Sequence, residues 1–334
     1  MRRGSPRTWP SSTGARRRSR PRGAERRHRV HTGLGGEGTA AQVMALEHAP
    51  VRRRALVGSL VNLGSPLGQV LVSVVLLAMT ALLGAEAFLA WGRRLPFFLG
   101  CALAVGGYFV RRRMDESPVF ENAAARGGTS ASPVRTVFRS HPRVIVRLTF
   151  LRVPNIACSY LVTTCSLEYL HGALGLPSGT GFALVLVTNL LGVAAIPLGG
   201  WLADRFGRKP VLYSFAALSL VGTLVYFPLL DTKSWPLMLL ANAVALVSDY
   251  VEFGVLAVLF AERFPTPLRF SGHAAVYTLT NMVGGSPTPL VAALLLSVTG
   301  SPWSIALLLA AAYAVSLVPI HRTPETRDRE FGAS

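Results

Sequence analysis

Runs of apolar residues long enough to cross a bilayer recur along this chain, and they limit its fold more than any other feature. A spanning helix needs ~20 apolar residues. Eight such runs stand at about 57–83, 95–110, 144–170, 181–203, 210–230, 236–260, 271–298 and 302–320. A further segment, 33–48, is short and dense in small residues, which suits close helix contacts more than an independent span. Only 15% of the 334 residues are charged and 51% are hydrophobic, a balance foreign to soluble domains. Inside lipid each backbone polar group has to be satisfied within its own segment. The expected class is therefore an all-α polytopic membrane protein.

A net charge of +18 would suggest a nucleic-acid partner in a soluble protein. Here the bases sit mostly in loops, so no nucleic acid is expected. One set of loops holds nineteen bases: Arg52 to Arg54, Arg111 to Arg113, Arg126, Arg135, Arg139, Arg143, Arg147, Arg205, Arg208, Lys209, Arg263, Arg269, Arg322, Arg327 and Arg329. The alternate loops hold three, Arg93, Arg94 and Lys233. Positively charged loops stay on the cytoplasmic side. This places the connector at 114–142, the loop at 204–209 and the C-terminal tail 321–334 in the cytoplasm of a multi-pass cell-membrane protein. Residues 1–32 are arginine-rich without an apolar core, so they read as a disordered leader rather than a secretory signal. The spacing of Cys101, Cys158 and Cys165 fits no metal or redox site, which leaves core packing. No metal or cofactor is called for.

The loop Gly199-Gly200-Trp201-Leu202-Ala203-Asp204-Arg205-Phe206-Gly207-Arg208-Lys209-Pro210-Val211 joins two spans. Gly207 stands where the backbone has to turn tightly. Asp204 is placed to cap a helix end, and the bases to pair with it or with terminal carbonyls. A second pattern occurs twice. Glu47 is followed at three residues by Pro50 and four later by Arg54; Glu262 is followed by Pro265 and Arg269 at the same spacings. Each copy leaves one span and enters another that carries a breaker, Gly64-Ser65-Pro66 in the first and Gly284 to Pro289 in the second. Repeats of this kind are expected of parallel transporter halves.

The loop, with its Gly200, Asp204, Arg205, Gly207, Arg208 and Lys209, resembles the signature loop of the major facilitator superfamily. Further blocks make the chain similar to the metabolite:H+ symporter family: Gly-Gly-Glu37-Gly, Glu47-His-Ala-Pro50, Gly58 to Gly68, Ala87 to Phe97, Arg113 to Phe120, and Glu262 to Gly272. The resemblance covers about 33–325. It implies a helical bundle in which 33–113 is part of an N-terminal half, 114–142 a linker and 143–320 a complete six-helix C-terminal half. It also implies that the chain matches the family's twelve-span plan only from the fourth span onward. Members of the family import small organic acids or zwitterions together with H+.

Charges within spans are costly, by ~2.5–3.5 kcal/mol each, so each one marks a functional candidate. Arg152 is placed either to grip a substrate carboxylate with its planar fork or to snorkel to the cytoplasmic end. The family usually follows this arginine with Glu-Asn, whereas Asn155-Ile156 stand here. Asp249 and Glu252 share a helical face and suit proton carriage or a structural polar patch. Glu37 serves function or helix contact. The chain contains neither His-Glu-x-x-His nor Gly-x-Ser-x-Gly, so no enzyme and no catalytic residue is expected. The expected function is proton-coupled secondary transport by alternating access, with the proton gradient as driving force. The alternative is a truncated, non-transporting remnant of such a symporter.

Overall fold

The computed structural model describes residues 37–83, 87, 90–112 and 133–327. The arginine-rich 1–32, the linker at 114–132 and the last residues of the tail lie outside them. All regular structure among the described residues is helical. A short helix α1 (Glu37–His48) leads into α2 (Val51–Leu82), followed by α3 (Leu95–Arg112). A short helix α4 (Pro133–Ser140) occupies the end of the expected linker, where the sequence reading placed only a connector. Six long helices complete the chain: α5 (Pro142–Ala173), α6 (Ser178–Phe206), α7 (Arg208–Asp231), α8 (Trp235–Glu262), α9 (Thr266–Thr299) and α10 (Trp303–Arg322).

Among the described residues seven helices are long and apolar enough to cross a membrane: α2 and α5 to α10. The span expected at 95–110 forms as α3, but its apolar part, Leu95–Phe109, is shorter than the others. Residues 100–109 of α3 are all exposed, and Cys101 with them, so this cysteine is not a core residue as expected. Cys158 is buried and Cys165 partly so.

The breakers in α2 and α9 act differently. In α2 the helix interrupts at Leu63 and resumes at Gly64, with Pro66 in the first turn, where its missing N–H leaves no bond unmade. In α9 a π-turn over Asn281–Gly285 precedes Pro287, and a second helical stretch starts at Thr288. Gly300, at φ 63°, ends α9 in the left-handed conformation that lacks a Cβ penalty.

Helix α8 lies at the centre, packed on α2, α6 and α7, and nearly every residue from Ser248 to Ala261 is buried. Backbone proximity makes this possible. A Cβ on Gly199 would stand 2.2 Å from the Val251 carbonyl oxygen, and one on Gly254 2.3 Å from that of Ile196. On the next residue a Cβ at Gly200 would meet Ser59 Oγ at 2.5 Å and the Ala55 carbonyl at 2.7 Å. Helix α6 therefore touches α2 and α8 at once through adjacent glycines.

Candidate functional site

The loop between α6 and α7 is only as long as one glycine allows. Gly207 takes φ 103°, and its N–H closes α6 on the Ala203 carbonyl at 3.0 Å. A Cβ there would also stand 2.8 Å from Glu325 Oε2. That carboxylate accepts the N–H of Arg208 at 3.0 Å and of Lys209 at 2.9 Å, so it caps the exposed donors of α7. It also accepts the N–H groups of Thr326 and Arg327. Burial raises the Glu325 pKa, but these four donors outweigh it and leave the carboxyl below its usual range.

Asp204 caps a helix distant in the chain as well as facing Arg208 of its own loop. Its oxygens accept the N–H of Ala55 at 3.1 Å and of Leu56 at 2.9 Å. These are first-turn donors of the helical stretch Arg54–Asn62 in α2, whose own N-cap residue supplies no side-chain bond. Arg208 is fully buried. It donates to the Ala203 carbonyl at 3.1 Å and to Glu262 Oε1 at 3.1 Å, and lies 3.4 Å from Asp204 Oδ1. Lys209 Nζ donates to the His321 carbonyl at 2.7 Å. Arg205 is exposed beside Trp201 and Phe206, 5.3 Å from each ring, and the structure does not bring it to the other charges of the loop.

The two copies of the Glu-Pro-Arg pattern fold alike. Pro50 precedes a 3₁₀ turn, Val51–Arg53, and a helix beginning at Arg54; Pro265 precedes Thr266–Leu268 and a helix beginning at Arg269. The two copies pair with each other. Arg269 Nη1 lies 2.6 Å from Glu47 Oε1, and Arg54 Nη1 3.8 Å from Glu262 Oε1. Glu262 also receives Arg208 and the Thr326 hydroxyl. One network thus joins the ends of α1 and α8, the starts of α2, α7 and α9, and the segment after α10.

A second polar group lies within the bundle. Arg152 on α5 is 3% exposed, so it does not snorkel. Its guanidinium lies 3.7 Å from the Tyr277 ring centroid and 5.5 Å from that of Phe253. Tyr277 in turn stacks on His273. Among the described residues Nε and Nη1 of Arg152 have no hydrogen-bond partner. Gln42 on α1 donates to Asn62 Oδ1, and Asn62 donates to the Phe253 carbonyl at 2.9 Å, which ties α1 and α2 to α8. Glu252 accepts the Ser219 hydroxyl of α7 at 3.1 Å; Asp249 Oδ1 lies 3.5 Å from the Tyr313 hydroxyl of α10. Asn155 donates to the Asp249 carbonyl at 2.9 Å. The two carboxylates begin a helical stretch directly after a π-turn, Ala243–Val247, a distortion common at functional sites. Glu37 starts α1, and its side chain lies outside the description.

Sequence reasoning missed Glu325, Ser219, Tyr313 and Gln42. Glu325 follows a proline just past a helix end, which is too little signal by itself. Ser219 and Tyr313 are ordinary helix-contact residues until a carboxylate is seen facing them, and Gln42 until it is seen bonded to Asn62.

The family model described as Major Facilitator Superfamily matches residues 29–284 and, in a second overlapping match, 155–333. The inner membrane metabolite transport protein YhjE of Escherichia coli K12 is 33% identical over 90% of this chain and 69% of its own length. The shikimate transporter of the same organism is 31% identical over 85% and 66%, and the proline/betaine transporter of Salmonella typhimurium 28% over 78% and 54%. The chain thus spans between half and about two thirds of the length of these relatives. Among solved structures, the proton:xylose symporter XylE superposes with a TM-score of 0.67 at 17% identity, covering 88% of this chain and 69% of XylE. The outward-conformation transporter FucP gives 0.59 at 13% identity, over 88% and 73%. The fold, the repeated motif and these relatives agree: this multi-pass membrane chain belongs to the Major Facilitator Superfamily and, within it, to the metabolite:H+ symporter family.

Proposed function

We propose that this chain moves a small organic acid or zwitterion across the cell membrane together with H+, by alternating access. The observation that carries the reading is Arg152, a buried guanidinium whose Nε and Nη1 have no hydrogen-bond partner among the described residues. A buried polar group without a partner is costly, and a carboxylate matches a guanidinium fork in shape and charge. Shikimate, proline and betaine, named for two of the relatives, all carry a carboxylate. Tyr277 and Phe253 would hold the guanidinium in place between substrate visits. Asp249 and Glu252 are the proton carriers in this reading: each faces a hydroxyl, and Asp249 also lies in the field of the Arg152 cation, which ties its proton to what that guanidinium holds.

The network around Glu262 supports a gate. It closes one end of the bundle, which in this reading faces the cytoplasm along with the linker and C-terminus. Asp204, Arg208, Glu47, Arg54 and Arg269 hold α2 against α6 and α8 there; opening requires that they part. Proton-driven uptake by vesicles reconstituted with this chain alone is the test. Accumulation of a labelled carboxylate, dependent on an imposed pH gradient, is expected. No uptake of any organic acid or zwitterion by stably inserted protein overturns the proposal. One observation favours a second reading, a chain that inserts but does not transport alone: only 17% of the apolar windows of α2 and of α9 is buried. The same assay separates the two.

A further inference from the structure

Between α5 and α10, at the basic end of the bundle, runs an open groove of about 590 Å³ whose rim and floor differ in chemistry. The rim is Arg143, Arg147 and Arg322, and the floor includes Val146, Phe150 and Val318. On α5, Arg143, Arg147 and Phe150 follow at i, i+4 and i+7, one stripe of one helix face; on α10, Val315, Val318 and Arg322 do the same at i, i+3 and i+7. Each stripe passes from arginine to exposed hydrocarbon within seven residues, about 10 Å of helix. That is the step from headgroup level to acyl-chain level in a bilayer leaflet. Phe150 and Val318 are 49% and 51% exposed, so the floor is open to whatever lies alongside.

Of the three rim arginines, Arg143 and Arg322 are exposed and Arg147 is half-buried. Among the described residues none of the three forms an ion pair. Arg147 donates one bond, at 2.9 Å, to the Arg322 carbonyl, which pins the end of α10 beside α5 and holds the two sides of the groove in register. Elsewhere at this end buried arginines are matched by Glu47, Asp204 and Glu262; in the groove the cations face outward over apolar surface. The first turn of α5 adds the positive end of its helix dipole. Cations above an apolar trough between spanning helices make a receptor for a phosphate-bearing, two-chain amphiphile.

We infer that the α5–α10 groove binds an anionic phospholipid, its phosphate between Arg143, Arg147 and Arg322 and an acyl chain along Val146, Phe150 and Val318. The site is separate from Arg152 and from the network around Glu262, and the inference does not depend on transport.

Native mass spectrometry of the full chain in detergent, titrated with phosphatidylglycerol and with phosphatidylcholine of equal chain length, tests this. Tighter binding of phosphatidylglycerol is expected. Each basic side chain near a membrane surface is worth about fivefold in affinity, so R143Q/R322Q is expected to weaken the first bound phosphatidylglycerol by at least about tenfold. R52Q/R53Q removes the same charge from another exposed place at this end and should leave that binding unchanged. V318W fills the trough without altering charge and should also weaken it. Circular dichroism and monodisperse elution establish that each variant is folded. Equal loss in R52Q/R53Q overturns the site, since general charge attraction then accounts for binding. Retention in R143Q/R322Q or in V318W overturns it as well. Displacement of phosphatidylglycerol by millimolar inorganic phosphate would show a soluble-anion site and overturn the lipid assignment.

Discussion

Arg269 and Glu47 meet at 2.6 Å across 222 residues of chain, and each belongs to a different copy of one motif. Their counterparts Arg54 and Glu262 meet in the opposite sense. Direct pairing therefore runs between the copies: each arginine meets the carboxylate of the other copy. Removing one partner of a buried pair costs about 3–5 kcal/mol. Glu47 keeps 15% side-chain exposure, which places Glu47→Gln at the lower end of that range. Chemical unfolding in micelles should show the loss, and the exchange E47R/R269E should recover part of it. An exchange variant no better than the single changes would show that the pair acts through something other than its mutual charge.

Glu262→Gln is expected to cost more than Glu47→Gln, because Glu262 serves Arg208, Arg54 and Thr326 together. Arg208 would remain fully buried with its charge reduced to the company of Asp204. Thiol labelling of a cysteine placed near the end of α1 should become faster in this variant as the closed end loosens. Unchanged labelling would separate the network from closure.

Gly199→Ala and Gly106→Ala form a matched pair. The first puts a methyl 2.2 Å from the Val251 carbonyl oxygen, and backbone cannot step aside as a side chain can; the second finds nothing within 4 Å. Overpacking costs about 1–3 kcal/mol where neighbours shift and more where they cannot, while glycine to alanine in open helix gains roughly 0.5–1 kcal/mol. Yield of monodisperse protein should fall sharply for the first and hold or rise for the second.

Substitution within the bundle separates binding from coupling. Arg152→Lys keeps the charge but not the planar fork, so uptake of a carboxylate should fall by tenfold or more (about 1.4 kcal/mol per tenfold), with KM bearing most of the change. Glu252→Gln keeps the bond from Ser219 but carries no proton. Exchange of labelled for unlabelled substrate should survive, whereas accumulation against a gradient should be lost. Equal loss of both would assign Glu252 to structure.

The cap of α7 has a pH dependence with a fixed sign. The Glu325 carboxyl is held below its usual value of roughly 4.3 by backbone donors that outweigh burial. A depressed carboxylate contributes stability at pH above its unfolded pKa and loses it as pH falls through the lower, folded one. Hydrogen-exchange protection at Arg208 and Lys209, corrected for intrinsic rates, should hold at neutral pH and decline below about pH 4. Glu325→Gln should lack that step.

The helices were legible because length and apolarity act locally, and α6, α7 and α10 form almost where the runs predict. The repeat was legible as spacing, and Pro50 and Pro265 do begin equivalent turns. The pairing was not. Nothing near Asp204 in the chain points to Ala55, and the same loop that supplies Asp204 leaves Arg205 in the open. Glu325 was passed over as part of a polar tail.

What the sequence alone determined is the class of fold: apolar runs of membrane length, alternation of basic loops, a glycine at 207 where only a Cβ-free residue turns without strain, and two copies of one charged motif. What only the tertiary structure decided is which charge meets which. A side chain's partner depends on helix rotation and on how closely backbones approach, and these were set by contacts such as Gly199 on Val251 and Gly200 on Ala55. Low-dielectric packing then makes a buried charge answer to a neighbour far away in the chain, so Arg269 found Glu47, and Arg152 lies against the rings of Tyr277 and Phe253 within the field of Asp249.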